Sequence, residues 1–124
     1  MSAKVRLTAA VPVLASLDIE RSVQFYTTRL GFTKVHAAAG VYGIVSRDGV
    51  EIHLWACSDR HIAENTGCRV HVAGIDALYR ELAPQGVVHP NAPLRARPWG
   101  AREFAVLDCD GNLVTFVEWP QPEQ

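Results

Sequence analysis

Residues 44–56 read IVSRDGVEIHLWA, and residues 104–117 read FAVLDCDGNLVTFV. Each is a pair of apolar-rich runs joined across an Asp-Gly step. Asp and Gly tolerate the positive φ that a tight hairpin demands, so each stretch predicts two antiparallel strands. In the first, Val50, Ile52 and Leu54 alternate with Glu51, His53 and Trp55, one apolar face against one polar face. Two similar hairpins in one short chain call for a search for an internal repeat.

The repeat extends outward from both hairpins. The first is preceded by VPVLASLD (11–18) and IERSVQFYTTRLGF (19–32), the second by CRVHVAG (68–74) and IDALYRELAPQGV (75–87). Ile19, Val23, Tyr26 and Leu30 share one helical face, with Asp18 placed to cap the start and Gly31 to end it. Ile75, Leu78 and Leu82 repeat the pattern, and Gly86 follows. The expected fold is therefore α+β, with two tandem βαβββ modules, about 8–57 and 66–118, in a single domain over 1–124. In the strand at 68–72, Cys68, Val70 and Val72 oppose Arg69 and His71. Each sheet should bury one face under its helix and leave a more polar face, either open to solvent or lining a cavity. The proline-rich stretch HPNAPLRARPWG (89–100) reads as a loop over one end of such a cavity.

With 124 residues, 48% of them hydrophobic, the chain can bury a sizeable core. Twelve basic and thirteen acidic residues leave a formal charge of −1, so no global field draws nucleic acid or a membrane surface. Ten of the twelve bases are arginine, suited to held, planar contacts. Cys57, Cys68 and Cys109 form no CxxC spacing and read as free thiols, and no stretch has signal-peptide or membrane-spanning character; both point to the cytoplasm.

The repeat, together with FYTTRLGF (25–32) and PWGAREFAVLDCDGNLVTF (98–116), resembles the vicinal-oxygen-chelate superfamily of glyoxalases, dioxygenases and bleomycin-resistance proteins. Within it the chain is most similar to the bleomycin-resistance group, through AVPVL (10–14), the PWG run and the DCDGN turn. The resemblance implies a cup-shaped sheet with helices on its outer face. It also implies a homodimer that exchanges an N-terminal arm stiffened by Pro12, and ligand clefts at the subunit interface.

Enzymes of the superfamily hold a divalent metal through four cavity residues. The matching positions here are Val11, His53, Gly67 and Thr115, which offer one imidazole and one hydroxyl, so no metal and no cofactor are expected. What remains is non-catalytic sequestration of a small molecule, bleomycin or a related glycopeptide or aromatic antibiotic. Tyr42, Trp55 and Trp99 would supply stacking surfaces, and Glu51, His53, Arg69, His71, Arg102 and Thr115 polar contacts. A metal-dependent lyase, dioxygenase or thiol transferase with an incomplete site around His53 is the alternative. Near-neutral charge and Arg69 in the cleft argue against a cationic drug unless Glu51 or Glu118 neutralises the arginine. The paired aspartates of Asp108-Cys109-Asp110-Gly111-Asn112 read as turn chemistry rather than as a metal or proton-transfer site.

Overall fold

The computed structural model describes residues 4–121. The first module runs β1 (Val13–Ser16), α1 (Ile19–Arg29), β2 (Thr33–Ala38), β3 (Tyr42–Arg47) and β4 (Val50–Ala56). A short helix α2 (Arg60–Glu64) leads to the second: β5 (Gly67–His71), α3 (Ile75–Leu82), β6 (Arg95–Ala96), β7 (Arg102–Leu107) and β8 (Leu113–Glu118). Two four-stranded sheets result, ordered β1-β4-β3-β2 and β5-β8-β7-β6. In each, the first strand crosses over through a helix to pair parallel with the last, and the remaining pairs are antiparallel. The α+β repeat expected from the two hairpins is what the chain adopts. Among the described residues, no helix is long and apolar enough to cross a membrane.

Local chemistry explains the elements. The Asp18 carboxylate accepts from the Arg21 N–H at 3.1 Å and caps α1. Asp48 and Gly49 both have positive φ, 53° and 82°, as a two-residue hairpin between right-twisted strands requires. A Cβ at Gly43 would lie 3.0 Å from Val23 and 3.2 Å from Ile19, so the missing side chain lets α1 settle on β3. The start of α3 carries no side-chain cap of its own. Glu118, at the end of β8, accepts from the Gly74 and Ile75 N–H groups at 3.1 and 2.8 Å instead.

The helix-bearing faces of both sheets feed one contiguous core. Leu14, Ile19, Val23, Tyr26, Leu30, Ile52 and Leu54 of the first module join Val70, Ile75, Leu82, Phe104, Val114 and Phe116 of the second. The modules are fastened by the turn between β7 and β8. Asp108, Asp110 and Asn112 are buried there. Asp108 accepts from the Tyr26 hydroxyl at 2.8 Å, from the Asn112 side-chain amide at 2.8 Å, and from two turn N–H groups at 2.9 Å. Asp110 accepts from Ser22 Oγ at 3.0 Å and the Leu17 N–H at 3.2 Å, and pairs with Arg21. Asn112 donates to the Ala15 carbonyl at 2.8 Å. At the other end of α1, Arg47 grips Glu81 through two bonds of 2.8 and 2.9 Å and donates to the Leu30 carbonyl.

DCDGN is a turn, but a buried one whose carboxylates clamp module two onto α1. The helices, moreover, lie between the modules, so the polar faces of the two sheets turn away from the shared core. Each sheet thus contributes one polar half-wall.

Burial pushes the Asp108 carboxyl above its usual range, against the pull of its donors, and drives the Tyr26 hydroxyl well above its own. Tyr26→Phe removes a hydrogen bond to a buried carboxylate and should cost about 1.5–3 kcal/mol. Urea unfolding monitored by circular dichroism would show it; an unchanged midpoint would contradict the clamp.

Candidate functional site

The open face of the first sheet is built by alternation. In register, Tyr42 lies beside Trp55, Ile44 beside His53 and Ser46 beside Glu51, while Ile52 and Leu54 point into the core. Val13 of β1 flanks His53. The Tyr42 hydroxyl is 2.9 Å from His53 Nδ1, and His53 Nε2 is 2.7 Å from Glu51 Oε1. The Tyr42 and His53 rings meet edge to face, with centroids 5.5 Å apart. Both imidazole nitrogens therefore have partners within the wall. Trp55 stays partly exposed at the end of the row.

On the face of the second sheet turned from its helix, Arg69 lies beside Thr115 and His71 beside Val117, which on its other side pairs with Glu103; Thr115 and Val117 are themselves buried. Arg69 Nη2 donates to Glu103 Oε2 at 3.0 Å. Arg97 Nε lies 3.7 Å from the other Glu103 oxygen, and its guanidinium sits 4.7 Å from the centre of the Trp99 ring. Trp99 is exposed in the loop before β7. The carboxylate that balances Arg69 is thus Glu103, since Glu51 holds His53 and Glu118 caps α3. Sequence reasoning passed over Glu103, Arg95 and Arg97. The parity of REFAVL could have placed Glu103 on the open face, but Arg95 opposite Glu103 depends on the two-residue strand β6, which carries no apolar period.

The structure groups Tyr42, Glu51, His53 and Trp55 on one wall, and Arg69, His71 and Thr115, with Trp99 nearby, on the other. Arg102 stands apart. It shares the helix side with Glu118 and donates to Asp76 at the start of α3, at 2.7 Å. The Arg102 bond holds Asp76 below the usual carboxylate range. Pro12 pairs through its carbonyl with the His53 N–H at 3.0 Å. Two concavities among the described residues, about 520 and 460 Å³, share Arg47, Asp48 and Glu81 at the module junction; Ser46 borders the first and His71 the second.

The donor set does not fit the superfamily's metal. Its four positions hold valine, histidine, glycine and threonine, and the one imidazole is held by Tyr42 and Glu51. Thiol chemistry is also poorly served: burial and Asp108 push Cys68 up to about 11, and burial pushes Cys109 up. Two aromatic-bearing polar walls with their charges mostly paired suit recognition of a flat, polar molecule.

Comparison with known proteins gives the class. The sequence profile described as glyoxalase superfamily protein matches residues 1–123, and the chain belongs to that superfamily. The bleomycin resistance protein of Geobacillus stearothermophilus is 37% identical over 126 aligned residues, covering 88% of this chain and 95% of that protein. The bleomycin-binding protein of bleomycin-producing Streptomyces verticillus, solved with copper(II)-bleomycin, matches with a TM-score of 0.83 and 32% identity, over 95% of this chain and 100% of that one. A bleomycin resistance determinant encoded on transposon Tn5 matches with a TM-score of 0.79 and 25% identity, over 93% and 100%.

Proposed function

We propose that the protein binds a bleomycin-type glycopeptide stoichiometrically in clefts between two copies of the chain, sequesters it unaltered, and so confers resistance in the cytoplasm. The observation that carries the proposal is near-full-length similarity, at 32–37% identity, to a bleomycin resistance protein and to a protein solved with copper(II)-bleomycin bound.

The geometry supports a site shared between subunits. Because the open faces point away from the common core, the Tyr42–His53–Glu51 wall of one copy can meet the Arg69–Thr115 wall only across an interface. The outer edges of β1 and β5 have no strand partner among the described residues. Residues 4–11 carry no backbone hydrogen bond among the described residues, and Val5 and Leu7, alternating with Lys4, Arg6 and Thr8, are each 94% exposed. An alternating, unpaired segment next to a strand edge is suited to pairing with a second chain, with Pro12 stiffening its exit. Trp99, and Trp55 with Tyr42, offer flat surfaces for a heteroaromatic ring at low entropic cost. His53, Glu51, Arg69, His71 and Thr115 would orient its polar groups.

Isothermal titration with copper-loaded bleomycin should give one ligand per chain, and light scattering should give a dimer. No binding at tens of micromolar would remove bleomycin as the ligand. Trp99→Ala should lose about 1–3 kcal/mol of binding with thermal stability unchanged. The double variant Val5→Lys, Leu7→Lys should shift the protein toward monomer and weaken binding with it; full affinity in a monomer would refute a shared cleft.

A further inference from the structure

The basic groups around Trp99 exceed what a cationic ligand would favour. Arg69 and Arg95 lie on the open face of the second sheet by register, Arg69 beside Thr115 and Arg95 opposite Glu103. Arg97, two residues beyond Arg95, also reaches Glu103. Among the described residues of this face, Glu103 is the one carboxylate facing these three guanidinium groups. It makes a single hydrogen bond, to Arg69, and only a longer ionic contact to Arg97. Arg97 Nε is buried and makes no hydrogen bond, its ionic contact to Glu103 being 3.7 Å long, so Glu103 neutralises this guanidinium incompletely. The same guanidinium lies over the Trp99 ring, fixing it and leaving its other face for a ligand ring. The opposing wall adds one carboxylate, Glu51, which is already bonded to His53.

We propose that Arg69, Arg95 and Arg97 make this face select aromatic ligands that carry an anionic or oxygen-acceptor group beside the stacked ring, with Arg97 also positioning Trp99. The selectivity rests on the sequestration function proposed above and narrows its ligand class. A carboxylate next to the ring would take planar, paired bonds from a guanidinium, whereas a terminal ammonium would meet like charge.

The test compares copper-loaded bleomycin, which ends in a cationic substituent, with copper-loaded bleomycinic acid, which ends there in a carboxylate, by isothermal titration. Wild-type protein should bind the acid about threefold to tenfold more tightly, the scale expected for one or two partly screened charge contacts. The double variant Arg69→Gln, Arg97→Gln should lose that preference, and Glu103→Gln should enlarge it. Thermal melts would confirm that each variant is folded, and because the two changes have opposite signs a general loss of fit cannot mimic the pattern. Equal or tighter binding of the cationic form by the wild type would overturn the proposal, as would a preference that survives the double variant. Failure of both forms to bind would overturn the sequestration function, and this selectivity with it.

Discussion

Asp108 and Asp110 sit in a hairpin turn, yet they are buried between two modules and surrounded by donors from α1, the Leu17 amide that precedes it and their own turn. A buried carboxylate is stable only if its oxygens are met by hydrogen-bond donors, so once this turn is pressed against α1 its surroundings have little freedom. Tyr26 and Asn112 must point at Asp108, and Ser22, Arg21 and the Leu17 amide at Asp110. Apolar packing alone would let the modules slide against each other; these directional contacts set one arrangement. Arg47 with Glu81 fixes the other end of α1.

From that arrangement the outward direction of both polar faces follows. With the helices between the sheets, every second residue of β4, β5, β7 and β8 must face away from the core. The chain therefore displays two walls that do not confront each other, together with unpaired edges at β1 and β5 and an extended arm. Each feature would be a liability in a monomer, because open edges and exposed valine and leucine invite association. All are accounted for together if the second wall of each cleft belongs to another copy.

The fold was legible because the repeat is carried by strong local signals: Asp-Gly turns, alternation along β4 and β5, and a capped amphipathic period in α1. Much of the first wall was legible too, since Glu51, His53 and Trp55 share a parity within one strand. What escaped depended on contacts between distant segments. Asp110 looks like any turn aspartate until Arg21 and Ser22 are brought to it. Glu118 reads as the charged end of a strand, yet it caps a helix that begins with glycine. Arg102 shares a motif with Trp99, but strand parity sends it to the helix side, where Asp76 holds it. The orientation of the two modules is likewise a property of buried polar pairs that no periodicity encodes.

The two walls differ in polarity as well as in position. A carboxylate can only accept, so His53 Nε2–H donates to Glu51, and in that tautomer Nδ1 is the acceptor. The Tyr42 hydroxyl then donates to Nδ1 and leaves its own lone pairs turned outward. The first wall consequently offers acceptors, the Tyr42 oxygen and the Glu51 carboxylate. The second offers donors, the guanidinium groups gathered round Glu103. A molecule held in the proposed cleft between them would show donors to one side and acceptors to the other along a flat edge, as an amide-rich glycopeptide with planar rings does. In the superfamily's metal enzymes the residue at the His53 position spends a lone pair on an ion; in this chain that lone pair orders a hydrogen-bond chain, and the surface becomes a template for shape and polarity rather than for bond making.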